Sequence, residues 1–537
     1  MRRSSRIVAP YHRLEYRPWF PWLRAGLMVL MAATVIFATL LTSMAGTRLL
    51  KVAVLPIGAI LLTVMWMLPD ADRHRAETKV PAGFVPVLLT FLAGMVVWPS
   101  YIAIVLPGLP WLTPPRMILA VMLALMLVHY SQHRNSRGTL IEVLGYDRVA
   151  LTLFGMYEAL NFMVLPLAPG IGDTISYLFL QQVMALSTVL MAAVMMTNPD
   201  LMGRIYRTIL LGMIFTMLVG LLENYMQSPP WANYIPSFMQ IDEAFLTSFL
   251  SPQSRIGDNR YRIRTTFPVV LYYTQYLCLV LPMLLHAIWR TKGRQVLAGV
   301  ALVPLILHTV WYCNARTAVL ALLIPLFSFG ALALVKQLRD NRQRDMLKPG
   351  VAMAVVLLLV GMLGGLLATS HRAQMYTFGG SQHNASDETR DQQWANAWRQ
   401  LRKNPIGIGA GNSVNAVGVP KPGKDNLIVD SLYINVLVDV GYLGFACFFG
   451  LFVWVGIRGF QVFLRAGTVL EEQAGAAAIG LISYVIACYV ISNTDVNYLA
   501  FLFSGMVIAT KRLQDQRLAA EAAAVRVPST DLAPRRA

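Results

Sequence analysis

Charged residues are scarce in this chain. Asp, Glu, Lys and Arg make up 13% of its 537 residues, hydrophobic residues make up 56%, and the mean hydropathy is +0.55. Because an ordinary soluble domain carries about 25% charged residues, the composition excludes that class. Apolar runs of the roughly 20 residues needed to cross a bilayer recur along the chain. The sequence therefore predicts an all-α, polytopic membrane protein.

Cysteine is also scarce, and the signatures of soluble enzymes are missing. The four cysteines lie in or beside apolar runs, without the paired spacing of metal sites or disulfides, so we interpret them as packing residues. The sequence has no Gly-Lys-Ser/Thr phosphate loop, nucleophile elbow or zinc-binding helix motif. It also shows few paired acids and bases within its apolar runs and no convincing repeat, which disfavours a proton-coupled transporter.

The basic residues follow a membrane topology rather than a nucleic-acid-binding surface. The formal net charge is +18, but Lys and Arg are scattered among short loops. We predict about 14 spans, within a range of 12–14. They lie at residues 25–45, 52–68, 85–106, 117–130, 149–165, 175–196, 209–222, 269–288, 296–312, 317–335, 351–368, 442–457, 476–491 and 498–510.

Loop charges orient these spans. If the basic N-terminus is cytoplasmic, alternate loops are basic, and those at 107–115, 166–174 and 492–497 carry no Lys or Arg. A signal peptide cleaved after the first apolar run is the less favoured alternative. The predicted regions are a cytoplasmic N-terminus (1–24), membrane helices (25–222), an outside loop (223–264), central helices (265–368), a large outside loop with short amphipathic helices (369–429), C-terminal helices (430–510) and a partly disordered cytoplasmic tail (511–537).

Arginines stand at the edges of two spans. Arg262 and Arg264 occur in "RIRTTFP" just before an apolar run, and Arg316 occurs in "NARTAVLAL" at the start of another. Arginine at such a position suits a bidentate grip on phosphate. The alternative is simple snorkelling of the guanidinium toward lipid headgroups.

A basic and aromatic segment precedes a glycine-rich turn. From residue 388 to 403, Trp394, Trp398 and Leu401 fall on one side of a predicted helix, whose other faces are basic and include Arg390. We expect this helix to lie at the membrane surface and to stop at Pro405. The glycines of "GIGAG" that follow predict a tight, close-packed turn.

The stretch "VDSLYINVLVDVGYLG" places an acid before an apolar helix. Asp430 and Ser431 are followed by nine residues, Leu432 to Val440, and then by Gly441 and Gly444. We expect a short helix at 432–440, broken by the glycines before the next span. An acid at this position is a candidate helix cap.

Together these segments resemble the O-antigen ligase and polymerase (Wzy-type) superfamily of membrane glycosyltransferases. The resemblance covers roughly residues 262–460. It rests on Arg264 before Thr-Thr-Phe-Pro, Arg316 after a short turn, and Arg390 and Trp394 leading into "NPIGIGAG". It also rests on the ligase signature of His, then Asn, Ser or Gln, nine residues and Gly-x-x-Gly. Every position of that signature fits except the first, where Asp430 replaces histidine.

The resemblance implies a GT-C-like helical fold and an inverting transfer that needs no metal or other cofactor. It implies a bacterial inner-membrane enzyme with cytoplasmic termini, a periplasmic site and periplasmic outside loops. The implied partners are the lipid bilayer, an undecaprenyl-diphosphate-linked oligosaccharide and a glycan acceptor. A chain-length regulator is a further candidate partner, and no nucleic acid is expected.

The resemblance also assigns roles. Arg264 and Arg316, with Arg390 and Arg262, are expected to bind the donor diphosphate; Asp430, Arg316 and Arg264 are the expected catalytic residues. Ser431, Trp394, Gly441 and Gly444 are acceptor-side or structural.

Three functions stay open. The missing histidine favours a polymerase of lipid-linked repeat units for exopolysaccharide, capsule or O-antigen. The first alternative is an O-antigen ligase or protein O-oligosaccharyltransferase, which transfers the glycan to lipid A core or to protein. The second is a flippase or transporter for lipid-linked oligosaccharide, which should show a polar path through its spans.

Overall fold

The computed structural model describes residues 83–104, 112–132, 140–239, 250, 261–293, 295–340, 361, 381–420, 427–492 and 496–526. The predicted cytoplasmic N-terminus, the first two predicted spans and the predicted span at 351–368 lie outside, or almost wholly outside, these residues. The described helices are α1 (Phe84–Val97), α2 (Pro114–Gln132), α3 (Arg148–Met163), α4 (Ile171–Thr197), α5 (Pro199–Met226), α6 (Val270–Trp289), α7 (Gln295–Cys313), α8 (Arg316–Asp340), α9 (Ser381–Lys403), α10 (Ser413–Val417), α11 (Leu432–Leu464), α12 (Val469–Ala487) and α13 (Asn497–Arg526).

The prediction of an all-α polytopic membrane protein is confirmed. Seven of the described helices are long and apolar enough to cross a membrane. Each predicted span that falls within the described residues overlaps one of the described helices. Two-residue strands, β1 (Val419–Pro420) and β2 (Leu427–Ile428), form a small antiparallel pair between α10 and α11. All four cysteines are free and buried, as expected of packing residues.

Two helix ends differ from the sequence prediction. The span predicted to reach residue 106 ends at Val97, because Pro99 lacks an N–H and disfavours helical geometry at the residue before it. The chain then turns, and the Trp98 Nε1 donates to the Ile102 carbonyl at 2.7 Å. At the C-terminal end, α13 continues into the tail that was predicted to be partly disordered and ends at Arg526, since its alanines favour helix.

Helices α6, α8 and α12 pack together and separate two groups of polar residues. At one end, Glu472 at the start of α12 lies 3.1 Å from Arg290 and 3.5 Å from Lys336, at the far ends of α6 and α8. At the opposite end, Thr274 near the start of α6 hydrogen-bonds Thr317 near the start of α8 at 2.7 Å. The residues predicted inside and outside therefore occupy opposite ends of the same helices.

Candidate functional site

A buried carboxylate fixes the turn that carries Arg264. The Glu223 carboxylate at the end of α5 accepts hydrogen bonds from the Tyr261 hydroxyl at 2.6 Å and from the backbone N–H groups of Thr265 at 2.7 Å and Arg264 at 3.2 Å. The Arg264 Nε lies 3.8 Å from Glu223 Oε1, and both side chains are fully enclosed. Since a buried charge needs pairing and hydrogen bonds, Glu223 and this turn stabilise each other.

The Tyr261 hydroxyl remains a donor to this carboxylate. Burial, together with the negative charge of Glu223, holds the pKa of the Tyr261 phenol well above its ordinary value. Thr265, which follows Arg264, has a left-handed backbone with φ of 56°, a conformation that costs energy for a β-branched residue. The hydrogen bonds to Glu223 offset that cost and fix the direction of the chain as it enters α6.

The segment that carries Arg262 contacts the end of α7, just before Arg316. The Arg262 Nε donates to the Cys313 carbonyl at 3.2 Å, and the Ile263 N–H donates to the Tyr312 carbonyl at 3.2 Å. Those carbonyls end α7, and α8 begins three residues later at the half-buried Arg316. The structure therefore joins the two arginine-bearing segments, although Arg262 and Cys313 are 51 positions apart in the sequence.

Helix α9 holds the backbone next to Asp430. Its buried Gln393 accepts from the Asp430 N–H at 3.1 Å and donates to the Ile428 carbonyl at 3.0 Å. Arg390 lies on the same helix, three residues earlier. Trp394 is half-buried, and its ring lies 5.9 Å from the Tyr489 ring in a stacked arrangement.

The buried side of α9 differs in part from the predicted one. Leu401 is buried as expected, but Trp398 is 44% exposed, and the enclosed line runs through Gln393, Ala397 and Leu401. These residues recur at i, i+4 and i+8, the spacing of one helix face. The prediction assigned the large aromatic residues to the buried face of the helix, and it did not identify Gln393 and Ala397 as buried residues. Pro405 ends the helix as predicted.

The glycine-rich turn binds a carboxylate of the protein itself. The Asp439 carboxylate in α11 accepts from the backbone N–H groups of Gly411 and Ser413, both at 2.8 Å. The backbone carbonyls of Val438 and Asp439 accept from Ile408 at 3.1 Å and Gly409 at 3.0 Å. The turn is therefore close-packed as predicted, but no sequence pattern identified Asp439 as its partner.

Gly441 breaks α11 where this turn docks. It has φ of 70° and ψ of −173°, so the helix begun at Leu432 stops and a second helix starts in a new direction. A Cβ at Gly441 would lie 2.3 Å from the Pro405 carbonyl oxygen, so only glycine allows both this backbone and this approach. The predicted break between the short helix and the span is thus observed. Gly444 lies just after it, where a Cβ would lie 2.6 Å from the Val440 Cβ.

Asp430 lies just outside the first turn of α11. Ser431 is the N-cap residue, and its side chain makes no capping hydrogen bond. The two roles considered for Asp430, a catalytic group and a helix cap, stay predictions. The Ser431 hydroxyl donates to the Cys488 carbonyl at 3.4 Å, and the Leu432 N–H donates to the same carbonyl at 3.0 Å. Asp430 itself is half-buried and is positioned through its backbone by Gln393.

The start of α6 connects the two halves of the site. Gln275 Nε2 lies 3.4 Å from the Cys488 sulfur, next to the carbonyl that holds Ser431. Its neighbour Thr274 bonds Thr317, next to Arg316. The structure thus ties both predicted groups, the arginine segments and the Asp430 segment with α9, to one end of α6. The roles of these residues in binding or catalysis stay predictions.

Residues 301–449 match the family model described as O-antigen ligase. The matched segment contains Arg316, Arg390 and Asp430 and lies within the region where the motifs showed the resemblance, so that resemblance is confirmed. The match supports a lipid-linked glycan ligase or polymerase type of activity in a membrane setting. A comparison of the chain with curated proteins finds no match.

Proposed function

We propose that this protein polymerises undecaprenyl-diphosphate-linked oligosaccharide repeat units at the periplasmic face of the bacterial inner membrane. The observation that carries the proposal is the attachment of the Arg316 and Asp430 segments to the same end of α6, through Thr274 and Gln275. This attachment supports a shared location for the proposed anion-binding group and the proposed hydroxyl-binding group.

The donor diphosphate binds near Arg316 in this proposal. Arg316 begins α8, where the positive end of the helix dipole adds to the charge of the guanidinium. Arg262 is half-buried beside the end of α7 and is assigned to the same anion. Arg264 is enclosed and paired with Glu223 in the turn next to Arg262, and Arg390 lies on α9; both are assigned to the donor side from the motif resemblance.

The transfer itself exchanges one bond for another. The acceptor hydroxyl oxygen attacks the anomeric carbon, the bond from that carbon to the diphosphate breaks, and undecaprenyl diphosphate leaves with the electron pair. Asp430 orients the hydroxyl and takes its proton, while the arginines stabilise the charge that develops on the leaving group. Attack from the face opposite the leaving group inverts the anomeric configuration without a metal.

The ligase is the second candidate, because the matching family model carries that description. The two differ only in the acceptor, which is a second lipid-linked glycan for the polymerase and lipid A core or a protein for the ligase. The replacement of the signature histidine by Asp430 supports the polymerase.

The test uses purified full-length protein in liposomes with lipid-linked repeat units as the sole substrate. We expect a ladder of longer glycans, which Arg316→Ala reduces about 100-fold or more, the cost of removing one preorganised charge-stabilising donor. Arg402→Ala, at an exposed position of α9, is the matched control and should keep full activity. Near-normal product from Arg316→Ala contradicts the donor assignment. If the unaltered protein forms product only after lipid A core or an acceptor protein is added to the liposomes, the ligase is supported instead.

A further inference from the structure

A pocket beside the arginine turn lacks an assigned role. It is bounded by Thr266 and Phe267, which directly follow the Arg264 turn, and by residues of α1, α2, α3, α4 and the start of α13. Thr266 and Asn497 stand at the entrances to α6 and α13, so the pocket lies at the same end of the bundle as the candidate site. Arg264, Arg316, Arg390 and Asp430 do not line it.

A smaller pocket adjoins it. The two share five lining residues, Tyr157, Tyr177, Gln181, Phe448 and Asn497. The far wall of the smaller pocket is formed by Leu432, Asn435 and Asp439 in the first segment of α11. The two pockets therefore extend from the turn after Arg264 to the helix that begins just after Asp430.

The shared wall combines aromatic rings with amides. Gln181 Nε2 donates to the Tyr177 hydroxyl at 2.8 Å, and the Asn497 amide oxygen accepts from the Tyr484 hydroxyl. These contacts fix the amides while each keeps further hydrogen-bonding capacity. Tyr276 also lines the larger pocket, and within the described part of the chain its fully enclosed hydroxyl has no hydrogen-bond partner. Such a group is costly, and a hydrogen-bonding ligand in the pocket would offer it a partner.

We propose that the two adjoining pockets, the glycan pocket, bind sugar residues of the lipid-linked glycan. A sugar presents C–H faces that pack on aromatic rings and hydroxyls that bond amides and phenols, which is the chemistry of this wall. A polyprenyl chain offers no hydrogen-bonding group, so it would leave the Tyr276 hydroxyl without a partner and the remaining donors and acceptors of Gln181 and Asn497 unused within an apolar bundle. The glycan pocket thus selects the repeat unit at a distance from the reacting bond. The identity of the glycan rests on the proposed function.

Two variants isolate the polar groups of the glycan pocket. Tyr276→Phe removes only the hydroxyl, and Gln181→Met removes the amide at similar length. Tyr273→Phe is the matched control, because Tyr273 lies one turn earlier on α6, is equally buried and does not line the pocket. Each full-length protein is placed in lipid nanodiscs and checked for thermal unfolding.

Binding of two probes is then measured by calorimetry. The first probe is the oligosaccharide released by mild acid from the lipid-linked glycan of the cells that carry the gene, and the second is undecaprenyl phosphate. We expect the Kd for the oligosaccharide to rise about threefold to tenfold in each variant, the effect of one lost hydrogen bond. The Kd should be unchanged in Tyr273→Phe, and binding of undecaprenyl phosphate should be unchanged in all three.

Three results would overturn the glycan pocket. They are no oligosaccharide binding by the unaltered protein, an unchanged Kd in both variants, or weaker binding of undecaprenyl phosphate in those variants, which would make this a lipid pocket. Binding of the released oligosaccharide involves no turnover, so its outcome is separate from that of the polymerase assay. If the protein binds the oligosaccharide through Tyr276 but forms no glycosidic bond, the glycan pocket is supported and the proposed function is contradicted.

Discussion

At the scale of single residues, Asp430 distinguishes the candidate reactions most directly. We expect Asp430→Asn to slow glycan transfer about 100-fold or more, as loss of a general base does, because the amide keeps the shape of the side chain but cannot take a proton. Initial rates in the liposome assay check this. Asp391→Asn, an exposed carboxylate on α9, is the control.

Full activity of Asp430→Asn would remove Asp430 from the mechanism. Asp430→His restores the ligase signature, and a switch from self-elongation to transfer onto lipid A core in that variant would show that this one position sets the acceptor.

Glu223 should matter through Arg264. Glu223→Gln keeps the shape but leaves one amide oxygen to satisfy the Tyr261 hydroxyl and two backbone N–H groups. We expect a loss of about 1–3 kcal/mol in the free energy of unfolding and a fall in activity. Thermal unfolding in detergent and the liposome assay measure both. Asp200→Asn, exposed at the start of the same helix, should change neither, and an unaltered Glu223→Gln protein would mean that Arg264 needs no such support.

The sequence predicted some of these residues and missed others for a physical reason. Arg264, Arg316 and Asp430 stand at span edges within recognisable motifs, so they could be named in advance. Glu223 could also have been identified from the sequence, since it is an acid at the end of an apolar run. Gln393 and Asp439 act through contacts with backbone 26–37 residues away, and one sequence does not reveal such pairings.

At the scale of elements, the contact between the glycine-rich turn and α11 at Gly441 gives the clearest test of the packing. In Gly441→Ala, the new Cβ would lie 2.3 Å from the Pro405 oxygen and 2.5 Å from the Ile406 carbonyl carbon, on a backbone with positive φ. We expect a loss of about 2–4 kcal/mol in the free energy of unfolding, from strain and overpacking together.

Gly450→Ala on the same helix is the control for this change. Its Cβ would meet nothing closer than Leu153 at 3.9 Å, so the helix propensity of alanine should make it neutral or stabilising by up to about 1 kcal/mol. Equal melting temperatures for the two variants would contradict the docking described for the turn.

Helix existence was predicted better than helix extent. Periodicity predicted α9, and Pro405 with Gly441 predicted its end and the break in α11, because these residues act on their own backbone. The extent of α13 depends on neighbours: Lys511 pairs with Asp515 within the helix, and Arg517 reaches Glu471 on α12 at 3.0 Å. Composition alone suggested disorder for this segment.

At the scale of the whole molecule, Glu471 anchors the C-terminal helix to the bundle. Its carboxylate is 3% exposed and accepts from the Gly467 N–H, Gln514 Nε2 and Arg517. We expect Glu471→Gln to lower the free energy of unfolding by about 2 kcal/mol, the loss of charge-assisted hydrogen bonds. Glu521→Gln, which alters only the exposed pair with Arg517, should stay within about 0.5 kcal/mol. Comparable losses in the two variants, measured by thermal unfolding, would contradict this anchoring.

The joint between turn and helix also bears on the order of folding. Its contacts close loops of 26 and 28 residues, from Ser413 and Gly411 to Asp439, whereas the ion pair between Asp147 and Arg458 closes one of 311 residues. Short loops cost less entropy to close, and local contacts form faster. The segment from α9 to Gly441 should therefore assemble early as a unit, whereas the hydrogen bonds from Ser431 and Leu432 to the Cys488 carbonyl, which complete the surroundings of Asp430, should form later with α12.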